Sequence, residues 1–274
     1  MSTINFTEIA DLINSAFQED QADNDITTNA CIPPDLYAQA NIILKQDGCM
    51  AGLKFLPELF KQFSVNLSCK NLAEDGNYYE AGTILAKIDG PARSLLSAER
   101  VALNLLQHLS GVATLTYKCV AKTAGTSCQI LDTRKTIAGF RQLQKYAVKM
   151  GGGVNHRMDL SDRILIKNNH LTLVSLEECI KKSLESGWVE VEIDRKEMLE
   201  TVINAGVNAV LLDNMSPEQV SECVALGNHR VYLEASGGIT LDNIEAFAKT
   251  GVNGISIGAL THSAPAIDIS MRIL

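Results

Sequence analysis

The chain has 274 residues, 46% of them hydrophobic and 20% charged, with a formal net charge of −8. That is enough for one large domain or two modest ones around a substantial core, and the acidity argues against nucleic acid or an anionic membrane surface as partner. No apolar run approaches the roughly 20 residues that span a bilayer, and the segment from Met1 to Ala10 lacks the basic start and apolar centre of a secretory leader, so a cytoplasmic protein is expected.

Residues 1–110 open with an amphipathic segment (Phe6, Ile9, Leu12, Ile13, Phe17) and a polar stretch from Glu19 to Thr28. Strand-like pieces follow around residues 40–44, 49–53 and 83–88, broken by Pro33-Pro34, Asp47-Gly48, Asp75-Gly76 and Asp89-Gly90-Pro91. Short strands between such turns predict an N-terminal α+β, sandwich-like domain. A helix is expected from an N-cap at Ser97, burying Val101, Ala102, Leu105, Leu106 and Leu109, and stopping at Gly111. Arg100 lies on its polar side.

The second region, residues 111–274, is more regular. Six apolar runs read as strands: Ile130-Leu131, Ile164-Leu165-Ile166, Val189-Glu190-Val191-Glu192, Val210-Leu211-Leu212, Val231-Tyr232-Leu233 and Gly254-Ile255-Ser256-Ile257. Amphipathic stretches separate them. One carries Phe140, Leu143, Ala147 and Met150 on one face, with Arg141, Lys145 and Lys149 read as its solvated side. Ser175 and Ser216 begin capping boxes. Alternating strands and helices require right-handed crossovers and a parallel sheet. Six units fall short of a closed eight-fold barrel, so an open, incomplete β/α barrel is expected, with a doubly wound sheet as the alternative.

Catalytic groups in such a fold sit at the carboxyl ends of the strands. Here those ends deliver Thr133, Arg134 and Lys135, then Lys167, then Glu192, then Asp213, then Ser236-Gly237-Gly238, then Gly258. Ser236-Gly237-Gly238 with the Gly258 turn predicts a phosphate cradle, since glycine lets backbone N–H groups approach an anion. Glu192 and Asp213 on consecutive strands predict a Mg²⁺ site completed by a phosphorylated substrate; plain salt bridging to nearby lysines is the alternative. Glu190 alternates onto the same face, so the spacing leaves open which glutamate is the nearer ligand. Arg134 and Arg157 suit planar carboxylates, and Lys135 and Lys167 suit phosphate or pyrophosphate. His156 adjoins Arg157 after a triple-glycine turn. His108, His170, His229, His262 and Trp188 are read as structural or solvent-facing. The seven cysteines show no C-x-x-C pair and are read as small buried hydrophobes in a reducing compartment.

These strings together resemble the quinolinate phosphoribosyltransferase family. The match runs through Leu131-Asp132-Thr133-Arg134-Lys135-Thr136-Ile137, Gly151-Gly152-Gly153-Val154-Asn155-His156-Arg157 and Ile166-Lys167-Asn168-Asn169-His170. Val189 to Glu192, Leu211 to Asn214, Glu234 to Gly238 and Gly258 to Ser263 extend it, as do Asp25 to Thr28 and Glu99 to Asn104. The resemblance implies decarboxylating transfer of phosphoribose from phosphoribosyl pyrophosphate to quinolinate with Mg²⁺, yielding nicotinate mononucleotide, pyrophosphate and CO₂ in de novo NAD biosynthesis. It implies a homodimer or assembly of dimers. It places quinolinate on Arg134, His156, Arg157 and Lys167, with Arg100 donated by the partner subunit. Phosphoribosyl pyrophosphate would meet Lys135, Lys167, Glu192 and Asp213, its 5′-phosphate resting on Ser236, Gly237, Gly238 and Gly258. Asn24 and Asn168 depart from the family pattern, where glycine and an acid are usual. The rival readings are a paralogue acting on another anionic ring, a Schiff-base enzyme using Lys167, and a non-catalytic phosphosugar-binding protein.

Overall fold

The computed structural model describes residues 4–274; the first three residues of the segment from Met1 to Ala10 lie outside it. The chain divides into two compact units, Met1–Tyr117 with Ile137–Gly152 and Ala264–Leu274, and Lys118–Thr136 with Gly153–Ser263. Both units are discontinuous in sequence. The reason is packing within the first unit. Its strands are β1 (Tyr37–Leu44), β2 (Gly48–Cys49), β3 (Ser68–Asn71), β4 (Tyr78–Tyr79) and β5 (Ile84–Pro91). The last strand of the chain, Ile269–Ile273, pairs antiparallel with β1, setting Ile42 opposite Met271. The helix Arg141–Met150 also belongs here. Gln144 Nε2 lies 2.9 Å from His108 Nε2, and the Tyr146 hydroxyl donates to Asp75 Oδ2 at 2.6 Å.

Several expectations give way. The central helix runs from Ala92 to Lys122, so Ser97 does not cap it and Gly111 does not end it. The Ser97 hydroxyl instead donates to Oδ2 of Asp25, whose Oδ1 caps the helix Ile26–Cys31 by accepting from Thr28 N. Gly111 serves a close approach: a Cβ there would fall 2.2 Å from the Pro265 carbonyl oxygen. Lys145, expected on a solvated face, is 1% exposed. Cysteines 49, 119 and 223 are buried, but Cys31 is exposed.

The second unit carries all six expected strands: β6 (Gln129–Leu131), β7 (Ile164–Ile166), β8 (Val189–Ile193), β9 (Ala209–Asp213), β10 (Tyr232–Ser236) and β11 (Gly254–Ser256). They form one parallel sheet in the order β6-β11-β10-β9-β8-β7. The first two strands in sequence are therefore its edges, and among the described residues no ladder joins them, so the barrel is open. Helices between the strands start where their caps predict: Ser175 accepts from Glu178 N, and Ser216 forms a full capping box with Gln219. No helix among the described residues is long and apolar enough to cross a membrane.

Candidate active site

Period-two alternation and strand register decide which side chains share the mouth of the open barrel. On β8, Glu190 and Glu192 face the same way, and the register sets Glu192 beside Leu211 of β9 and Leu211 beside Glu234 of β10. One step further along, Asp213 pairs with Ser236, and Ser236 with Ser256 of β11. Each strand thus contributes one residue per layer, and the uppermost layers open into a cavity of about 290 Å³. Its lining comprises Thr133, Arg134, Lys135, His156, Arg157, Leu165, Lys167, Glu192, Leu211, Asp213, Glu234, Ser236 and Ser256.

The sequence-predicted cations and acids therefore converge. Lys167 Nζ is ion-paired with Glu192 Oε2. Burial, and then the Glu192 charge, push the Asp213 carboxyl above its usual range, against the pull of Lys167 and a hydrogen bond from Asn214 Nδ2 at 2.8 Å. Thr133 Oγ1 accepts from Lys135 N at 3.0 Å, and the Thr261 hydroxyl donates to the Lys135 carbonyl at 2.7 Å. Arg157 is 7% exposed. Burial and the nearby Arg134 charge lower its proton affinity, while Glu190 opposes them.

His156 is placed in the lining but is not free to offer a ring nitrogen. Its Nδ1 accepts from Arg157 N at 2.7 Å, and its Nε2 lies 3.1 Å from Glu190 Oε2 and 3.5 Å from Glu234 Oε1. Its backbone N–H is held by Asp132 Oδ1 at 3.0 Å. A ligand entering the cavity therefore meets a ring whose two nitrogens already have protein neighbours.

The glycine turns adjoin the cavity. Gly237 has φ +97°, and a Cβ there would meet Asn214 Oδ1 at 2.2 Å; Gly238 has φ +62°. Asn214 is itself left-handed at φ 56°. The next helix begins at Ile244, so the cradle is a backbone turn, with Asn243 Nδ2 donating to the Gly238 carbonyl at 3.1 Å. Gly258 leaves room for its neighbours: an added Cβ would lie 3.1 Å from both Lys135 Cδ and His262 Nε2. His262, read from sequence as structural or solvent-facing, thus stands beside this turn.

Arg100 is not brought to this cavity. It sits in the other compact unit, 3.9 Å from Glu99, and lines a cavity there with Asp25 and Ser97. Glu234, Ser256, Leu165 and Leu211 were missed as lining residues. The signal was present: Glu234 and Ser256 each lie two residues before a predicted site position, on the same strand face.

Comparison with known proteins agrees with this geometry. Residues 112–272 match the family model described as quinolinate phosphoribosyl transferase, C-terminal domain, and residues 25–110 match its N-terminal domain. The chain belongs to the quinolinate phosphoribosyltransferase family. It is 41% identical over 275 residues to a probable nicotinate-nucleotide pyrophosphorylase [carboxylating] of Bacillus subtilis (strain 168), covering 98% of this chain and 95% of that one. The Mycobacterium leprae (strain TN) nicotinate-nucleotide pyrophosphorylase [carboxylating] is 38% identical, with 100% of both chains covered. Among solved structures, NadC from Streptococcus pyogenes superposes with a TM-score of 0.94 at 36% identity, covering 100% of this chain and 99% of that one.

Proposed function

We propose that this chain transfers phosphoribose from phosphoribosyl pyrophosphate to quinolinate with loss of CO₂, giving nicotinate mononucleotide and pyrophosphate for NAD biosynthesis. The observation that carries the reading is the cavity itself: four cations (Arg134, Lys135, Arg157 and Lys167) and three acids (Glu192, Asp213 and Glu234) line one mouth beside a glycine turn, and each part of these two polyanionic substrates has a partner of matching chemistry. Arg134 and Arg157 present guanidinium groups suited to the two carboxylates of a planar pyridine ring. Lys135 and Lys167 are compact charges for the departing pyrophosphate. Ser236 with Gly237, Gly238 and Gly258 receives the 5′-phosphate through backbone N–H groups that no Cβ shields.

The pyridine nitrogen attacks the anomeric carbon as the bond to pyrophosphate breaks, so positive charge grows on the ribose. Glu192 and Asp213 stabilise that charge, and Lys135 and Lys167 stabilise the leaving anion. The alkylated ring nitrogen then accepts the electron pair of the breaking carbon–carboxylate bond, and CO₂ leaves. No protein base is needed for that step. Glu192 and Asp213 also offer hard oxygen ligands on adjacent strands, and the raised proton affinity of Asp213, from burial and then from the Glu192 charge, supports a place for a cation beside them. Mg²⁺ held there would neutralise pyrophosphate charge; for this, Glu192 must share or release Lys167. A homodimer in which Arg100 reaches a neighbouring subunit's pocket belongs to the same reading. It is supported by the exposure of the Arg100 side chain.

The test is incubation of the purified protein with carboxyl-labelled quinolinate, phosphoribosyl pyrophosphate and Mg²⁺. Label should appear as CO₂ in step with nicotinate mononucleotide. Turnover of nicotinate with no release from quinolinate would move the chain to a paralogous activity.

A further inference from the structure

Beneath the mouth, the interior layer of a β/α barrel is ordinarily filled by branched aliphatic side chains. Here the inward strand faces hold Glu190 and Glu234, 1% and 2% exposed. Burying two carboxylates is costly, and replacing such groups by well-packed hydrophobic residues is often neutral or stabilising. Stability therefore does not explain them. Their surroundings do. Both reach toward Nε2 of His156, at 3.1 and 3.5 Å, in a contact that is electrostatic: among the described residues, neither Glu190 oxygen, nor Oε1 of Glu234, accepts a well-aligned hydrogen bond.

The opposite edge of the ring fixes its proton. Nδ1 accepts from the Arg157 backbone N–H at 2.7 Å, and an accepting nitrogen carries no hydrogen, so the ring proton sits on Nε2 and faces the two acids. The same turn is tied on its other side, where Asp132 Oδ1 accepts from His156 N. Arg157 then extends to donate from Nη1 to the Arg163 carbonyl at 2.9 Å, with Arg134 as a repelling neighbour and Glu190 as an opposing charge. We infer that Glu190 and Glu234 are positioning residues: acting through His156, they hold the turn that carries Arg157 so that its guanidinium stands at the pocket wall beside Arg134. The three groups are also close enough for a metal ion, their ligand atoms lying within 4.8 Å of one another. The proton on Nε2 already occupies the face of the ring a metal would need.

The inference deepens the quinolinate reading of the pocket and rests on it. It is tested with Glu190→Gln and Glu234→Gln in the full-length enzyme, alone and in a His156→Ala background. Each single variant should raise KM for quinolinate by about tenfold or more, with KM for phosphoribosyl pyrophosphate changed less than about twofold. In the His156→Ala background the same changes should add little, because the route through the ring is already cut. Equal damage to both substrates, or full additivity with His156→Ala, overturns the inference. So does an equimolar metal in the acid-digested wild-type protein that Glu190→Gln removes. Should the variants fail to fold, the imidazole ¹⁵N spectrum of the wild-type protein decides: His156 must show a bare Nδ1 and a protonated Nε2, and the reverse tautomer overturns the inference. A wild-type protein that releases no CO₂ from quinolinate defeats the substrate reading instead.

Discussion

The two compact units bury polar groups of different kinds. In the first, the fully buried polar side chains are mostly neutral and answered locally: the Ser110 hydroxyl donates to the Ala51 carbonyl at 3.2 Å, Thr114 Oγ1 accepts from Cys49 N at 2.9 Å, and the Thr116 hydroxyl donates back to the Val112 carbonyl at 2.8 Å. Lys145 is the exception. The second unit buries the hydroxyls of Thr123, Ser256 and Thr261, but also Asp132, Arg157, Glu190, Glu192 and Glu234, these five charge-bearing and on strands or strand-end turns of one sheet. Hydroxyls that bond the nearest backbone tie elements together at little cost. Ionisable groups withdrawn from water store unfavourable energy that only a ligand or a fixed network offsets. Buried charge, more than pocket shape, separates the working unit from its companion.

That contrast can be broken by experiment. The largest effect should come from Arg157→Ala, which leaves Glu190 facing no guanidinium and removes a carboxylate partner. It should lower kcat/KM for quinolinate by roughly 10³-fold, the scale of truncating one member of a buried charged contact. Near-normal turnover at ordinary quinolinate concentrations would show that the buried charges serve something else. A smaller effect is expected at the glycine turn. Gly237→Ala must force a Cβ into Asn214 at a left-handed φ, whereas Gly206→Ala has a similar φ of +86° and nothing within 4 Å. Both should lose stability, by about 1–3 kcal/mol for the backbone strain, but Gly237→Ala alone should raise KM for phosphoribosyl pyrophosphate. Equal kinetics in the two variants would remove the turn from the phosphate site.

The smallest effect is a pH dependence of stability. Burial, and then the Glu190 charge, push the Glu234 carboxyl up to about 7 from a model-peptide value of 4.5. An acid whose folded proton affinity is raised contributes stability that is complete below its unfolded value and is lost as pH rises through the folded one. The wild-type melting temperature should therefore fall by a few degrees relative to Glu234→Gln between pH 5 and pH 8. Parallel melting curves across that window would mean that Glu234 stays ionised in the fold.

Much of this is legible in the sequence alone. The six strands of the second unit are legible to within one to three residues of their ends, because short apolar runs bounded by caps and glycines leave little choice of element. The strand-end cations and acids were legible for the same reason, since their place at a terminus is a matter of local sequence. The layer below was harder. Glu234 alternates with Ser236 and Glu190 with Glu192, yet period two says only that they share a face. The long helix was misjudged at Gly111, because a glycine required for close packing on Pro265 looks the same in sequence as one that ends a helix. Lys145 was misjudged because its amphipathic face offered no sign that another element covers it.

The sequence by itself determined the alternation of strands and helices, the chemistry at each strand end and the family to which the chain belongs. These follow from neighbours a few residues apart. Only the tertiary structure decided that His156 has both ring nitrogens engaged, that residues 137–152 and 264–274 pack with the first unit, and that β6 and β7 stand at opposite edges of the sheet. Those outcomes depend on groups far apart in the chain, and competition among long-range contacts settles them where local propensity is silent.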